Sequence, residues 1–206
     1  MPVAPERAPL AAEPANGGMA LLIIDMISAW DFQDAAKLAP GALSIAPRIA
    51  ALKRRCVDAG VPPIYVNDNH GHWRSDFRQI VLLSMQNDAG HRIAELLRPG
   101  PDDYSVLKPK HSAFFATPLD LLLRHLGVQR LIVTGVASDQ CIVMSTADAR
   151  MRDYEVVVPE DCVAAQTNSR NRRALDYLRE AQKTKTTVSA RIRLPAKAAK
   201  RPKKGR

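Results

Sequence analysis

The run Met19-Ala-Leu-Leu-Ile-Ile24 is continuously apolar and ends on an acid, Asp25. A strand with one wet face alternates apolar and polar residues, whereas a run apolar at every position must be covered on both faces. Such a strand belongs to a parallel sheet held between layers of helix. The rest of the chain repeats the theme. Strands are expected at 19–25, 62–66, 104–107, 130–135 and 154–158, with helical patterns over about 42–59, 76–98, 118–126, 139–152 and 168–182 between them. This alternation predicts an α/β fold, a three-layer α/β/α arrangement around a Rossmann-like, doubly wound, mostly parallel sheet. Neither GxGxxG nor GxxxxGK[ST] occurs, so the layout carries no dinucleotide or P-loop signature.

The length of 206 residues suits one such unit. The formal charge of +9 is unevenly spread: ten Lys and Arg and no acid lie from Lys183 onward, which leaves the preceding residues at −1. Residues 183–206 therefore read as a disordered basic tail, residues 1–17, rich in Ala and Pro, as a disordered arm, and 18–182 as the folded domain. A tail of this kind suits contact with nucleic acid or an anionic surface, and equally serves as a solvated extension that aids solubility. No apolar run is long enough to span a bilayer, and the N-terminus lacks the basic-then-apolar pattern of a secretory signal. The expected location is the cytoplasm, where thiols stay reduced. Three cysteines make no disulfide framework, and Cys56 and Cys162 read as structural.

Three positions place chemistry at strand ends. Cys141 lies in LIVTGVASDQCIVMSTADARM, where a strand-like run passes through a Gly-containing turn into a helical pattern. Unpaired N–H groups and the helix dipole favour an anion at such a place, and hence thiolate over thiol. Asp139, two residues earlier, suits the N-cap. The alternative is a buried cysteine acting as a small apolar residue. Asp25 points into the crevice where open α/β sheets bind ligands, or is a cap or loop acid. Lys108 follows the apolar stretch 104–107 and precedes a helix start at Thr117-Pro118, with Thr as N-cap and Pro first in the helix. A solvated surface charge is its alternative role.

The segments LLIIDMISAWDF, LKPKHSAFFATPLDLLL and TGVASDQCIVMSTADA, in that order, resemble the aspartate, lysine and cysteine motifs of the isochorismatase-like cysteine hydrolases. That superfamily includes nicotinamidases, N-carbamoyl amidases and isochorismatase. The resemblance runs from Met19 to about Lys183. It implies a triad of Asp25, Lys108 and Cys141, a cis peptide before Ala137, and an oxyanion hole of the Ala137 and Cys141 backbone N–H groups. It also implies cleavage of a C–N bond in a small amide or N-carbamoyl or ureido compound. Asp25 takes the thiol proton, Lys108 holds the carboxylate and steadies the thiolate, and Cys141 attacks to form a thioester acyl-enzyme that water resolves. None of the five histidines lies in a motif suggesting a Cys–His pair, and this mechanism needs none. Two other readings differ in class. Isochorismatase-type vinyl ether hydrolysis uses no cysteine nucleophile, and a non-catalytic relative would work through a nucleic-acid-binding tail. Family members are commonly oligomers, so a homo-oligomer acting on a small-molecule substrate is expected.

In the loop Asn67-Asp-Asn-His-Gly-His-Trp73, Asp68, His70 and His72 imitate part of the nicotinamidase ligand set for a divalent metal. The wider nicotinamidase context is missing, so the expectation is a polar pocket wall, with no metal and no other cofactor. Trp30, Phe32, Trp73 and Phe114 are expected to line the substrate pocket, with core packing as the alternative for aromatic residues beside strands.

Overall fold

The computed structural model describes residues 17–86 and 88–196. The central strands are β1 (Met19–Ile24), β2 (Pro63–Asp68), β3 (Tyr104–Lys108), β4 (Arg130–Val136) and β5 (Glu155–Pro159). Two short ones follow, β6 (Val163–Ala164) and β7 (Lys185–Thr187). They form one sheet in the order β3-β2-β1-β4-β5-β7, with β6 continuing alongside the end of β4. Every ladder among the described residues is parallel. The predicted three-layer, doubly wound sheet is therefore present.

The apolar run explains the layering. All six residues of β1 are buried. Met19, Leu21 and Ile23 face a cluster with Ala42, Ile45 and Ile49 of α1 (Ala35–Asp58). Ala20, Leu22 and Ile24 face the opposite cluster, with Leu119 and Leu123 of α4 (Leu119–His125). Each fully buried Leu or Ile contributes roughly 1.5–3 kcal/mol of transfer free energy, so both layers are held by the same strand.

Gly135 sets the approach of β4 to β1. It lies inside β4 rather than in a turn, at φ +114°, and a Cβ there would stand 2.0 Å from the Ile24 carbonyl oxygen. Only glycine tolerates that contact. The chain turns outward in opposite directions from β1 and β4, so their carboxyl ends form the crevice at the topological switch point.

Three element boundaries differ from expectation. Helix α1 starts at Ala35 rather than near 42 and contains Pro40 and Pro47. Both prolines are exposed, so the carbonyls they leave unpaired face water while the opposite side packs on the sheet. Helix α4 starts at Leu119 with Pro118 at the cap position, and the Thr117 hydroxyl accepts the Leu119 N–H at 3.3 Å. The largest correction concerns the tail, which does not begin at Lys183. Residues 185–187 form edge strand β7 against β5, Ile192 is buried, and Ser189 is fixed through its N–H and hydroxyl by the Asp161 carboxylate. Arg55 donates to the carbonyls of Ser189 and Ile192. Ile192 and Leu194 supply the apolar contacts that the surrounding lysines and arginines obscured. The expected arm up to residue 16 and the tail from 197 lie outside the described residues. No described helix is long and apolar enough to cross a membrane.

Candidate active site

Asp25 follows β1 directly, and its own φ of +53° turns it out of the strand. Its backbone N–H still donates to Val66 O at 2.9 Å. Left-handed backbone at a non-glycine residue costs on the order of 1 kcal/mol or more and persists where the surroundings enforce it. Here the carboxylate does so: Oδ1 accepts the Asp68 N–H at 2.8 Å and Oδ2 meets Lys108 Nζ at 2.9 Å.

Lys108 ends β3 and is 0% exposed. Its Nζ also reaches Asp68 Oδ2 at 3.2 Å and Cys141 Sγ at 3.6 Å. Burial acts to lower the lysine pKa, but the Asp25, Cys141 and Asp68 charges outweigh it and the group is held above its ordinary value. The structure thus brings Asp25, Lys108 and Cys141 together. It adds Asp68, which pairs in register with Lys108 across β2 and β3.

Cys141 sits in a π-helical turn, Ser138–Ile142, between β4 and α5 (Val143–Arg150), and is 7% exposed. The peptide bond Val136–Ala137 is cis, as the family resemblance implied. Ala137 takes the cap position with extended backbone, and Asp139 is not the N-cap. Its carboxylate instead pairs with the Arg170 guanidinium of α6 (Asn168–Glu180). The expected thiolate is also corrected. Burial pushes the Cys141 thiol up, the neighbouring Asp25 carboxylate adds to the rise, and Lys108 only partly opposes both. Both causes favour the protonated form of the thiol beside Asp25.

One neighbour of the sulfur was not anticipated. His111 Nδ1 lies 3.7 Å from Cys141 Sγ. Its loop is clamped to α5: Ser112 Oγ donates to the Asp148 carboxylate and accepts the Phe114 N–H, while the Ala113 N–H donates to Ser145 Oγ at 2.9 Å. The spacing Lys108-x-x-His111 was visible, but nothing in it foretold the fold-back onto the cysteine helix.

The four aromatic residues separate. Trp30 and Phe114 are buried core residues, Phe114 in the same apolar cluster as Cys141 and against Tyr154. Phe32 is half-buried and stacks on His70 with centroids 5.7 Å apart. Trp73 is 78% exposed and stands in solvent, so its expected pocket role is not met within this chain. A cavity of about 370 Å³ opens beside the site, bounded by Ser28, Ala29, Asn69, His70, His72 and Arg74.

Asp68, His70 and His72 do not fit a metal centre. The Asp68 carboxylate is engaged by Lys108 and by the His70 N–H at 2.7 Å, and the His70 ring is stacked on Phe32. Among the described residues no three His, Cys, Asp or Glu side chains converge to hold an ion.

An acid, a buried lysine and a thiol thus meet at the carboxyl edge of a doubly wound sheet. The chain matches the isochorismatase domain over residues 19–191 and belongs to that family. It is 35% identical over 173 residues to the uncharacterized isochorismatase family protein YaaI of Bacillus subtilis, covering 84% of this chain and 95% of that one. It is similar over 71 residues, at 41% identity, to the ureidoacrylate amidohydrolase RutB of an Enterobacter species, covering 34% of this chain and 31% of the other. The crystal structure of N-carbamoylsarcosine amidase from Thermoplasma acidophilum superposes with a TM-score of 0.66 at 27% identity, covering 84% of this chain and 98% of that one.

Proposed function

We propose that this isochorismatase-family hydrolase cleaves the C–N bond of a small amide, N-carbamoyl or ureido compound through a thioester on Cys141. The observation that carries the reading is the fully buried Lys108, whose one ammonium touches both the Asp25 carboxylate and the Cys141 sulfur. A buried lysine is costly unless its partners need it.

The resting thiol assigns the first step. Asp25, in contact with the sulfur, takes its proton as Sγ bonds to the substrate carbonyl carbon. Lys108 stabilises the sulfur's developing charge and keeps the carboxylate aimed at it. The oxyanion is assigned to the backbone N–H groups of Ala137 and Cys141. As the C–N bond breaks, protonated Asp25 returns its proton to the departing nitrogen, and water then resolves the thioester. Two relatives with ureido or carbamoyl substrates in their names support this bond type. Vinyl ether hydrolysis uses no thiol and leaves the Lys108–Cys141 contact without a purpose.

The test is ammonia release from a panel of primary amides, ureido acids and N-carbamoyl amino acids. At least one member should turn over with Cys141 intact. A panel inert throughout, with turnover of a vinyl ether, would reverse the assignment.

A further inference from the structure

We propose that His111 is a catalytic residue of the second half-reaction, accepting a proton from the hydrolytic water and returning it to Cys141. This rests on the covalent reading above. The sulfur of Cys141 has neighbours on two sides. On one side stands the buried Lys108, with the partly exposed Asp25 and Asp68 carboxylates on its ammonium. His111 is exposed, and its Nδ1 stands 3.7 Å from Sγ. Water that resolves a thioester must arrive from the exposed side.

The position is built. Ser112, the next residue, is held by Asp148 of α5, and Ala113 by Ser145 of the same helix. Arg152 pairs with Asp148 at 3.1 Å and lies over the Phe114 ring. The loop carrying His111 is thus fastened to the element that follows Cys141. The charged groups around the imidazole and sulfur are Asp25, Lys108 and Asp68 on the inner side, with Asp148 and Arg152 behind the clamp, already paired with each other. Imidazole is the side chain suited to receive and release a proton near neutrality.

The step balances. After the amine leaves, Asp25 is a carboxylate again and Cys141 carries the acyl group. Water oxygen bonds to the acyl carbon while one water proton moves to His111. The C–S bond then breaks, its electron pair stays on sulfur, and the imidazolium returns the proton to Sγ. His111 ends neutral and Cys141 ends as the thiol in which it started.

The experiment uses p-nitrophenyl acetate, an activated ester that acylates a thiol and releases a coloured leaving group, on the full chain. Wild type should hydrolyse the acetyl thioester continuously. His111→Gln should release its first equivalent of nitrophenolate at the wild-type rate, then slow in steady state by on the order of 100-fold. The acetyl adduct should accumulate on Cys141 by intact mass. His111→Ala should regain turnover when imidazole is added, which a packing defect would not allow. A variant whose burst and steady state both match wild type overturns the proposal, as does one losing both without an adduct. The covalent reading fails in a separate way, taking this step with it, when wild type forms no adduct and Cys141→Ala keeps the full rate.

Discussion

At the scale of single residues, the site is organised around one buried charge. Lys108 carries two carboxylates and a sulfur, and each explains a different property. In the proposed mechanism Asp25 is the base and Cys141 the nucleophile, while Asp68 is a second carboxylate already engaged by the Lys108 ammonium. Turnover is therefore expected to survive exhaustive dialysis against a chelator. A stoichiometric ion whose removal abolishes activity would contradict this. Asp25, Lys108 and Cys141 were legible in the sequence because each lies at the end of its own apolar stretch, in an ordered set of motifs. The contacts of Asp68 and His111 were not. The first depends on β2–β3 register, which pairs Asp68 with Lys108, and the second on a clamp through Ser112 and Asp148. The state of the sulfur was misread because burial beside a carboxylate outweighs the helix-terminus effect that the motif advertises.

At the scale of elements, hydrophobic patterning revealed the five central strands, with 19–24, 64–66 and 131–133 as uninterrupted apolar runs. It failed where composition and structure disagree. Pro40 concealed the first turns of α1, and the lysines and arginines after 183 concealed β7. The second miss bears on truncation. Deleting residues 183–206 removes β7, buried Ile192 and both carbonyl acceptors of Arg55. Hydrogen bonds to a charged group contribute about 1.5–3 kcal/mol, and burying an Ile side chain a similar amount. That deletion should lower the thermal midpoint by several degrees or abolish soluble expression. Deleting only 197–206 should leave midpoint and turnover unchanged. Equal midpoints for the two deletions would show that the edge strand contributes nothing.

At the scale of the whole molecule, the buried thiols set an alkaline limit. Burial raises Cys56 from 9.0 to about 12, partly opposed by Arg55. Burial, reinforced by Asp161, likewise raises Cys162 from 9.0 to about 12. Both hold their protons more tightly folded than unfolded. Their stabilisation is full below the unfolded value of 9.0 and is lost as pH climbs through the folded value of about 12. The thermal midpoint should stay level up to about pH 9 and fall beyond it, and Cys56→Ala with Cys162→Ala should flatten the fall. A midpoint level to pH 12 in the wild type would contradict the assignment. The surface bears on assembly. Trp73, Leu82 and Leu83 are exposed, and Leu83 also bounds the cavity lined by His70 and His72. We propose that a second copy covers this face. Light scattering at moderate salt should then give at least a dimer, and a single monomeric mass across micromolar concentrations would refute it. A role for the basic tail in binding nucleic acid remains a separate proposal, tested by comparing the 197–206 deletion with the full chain in a salt-dependent binding assay.

The proposed chemistry turns on the Cys141 sulfur. The measurement is ammonia release by Cys141→Ala on whichever amide or ureido substrate the wild type turns over, with circular dichroism showing the fold retained. Loss of turnover by a factor on the order of 1,000 or more is predicted, because attack on the carbonyl has no other nucleophile. Turnover comparable to wild type would contradict the covalent mechanism outright.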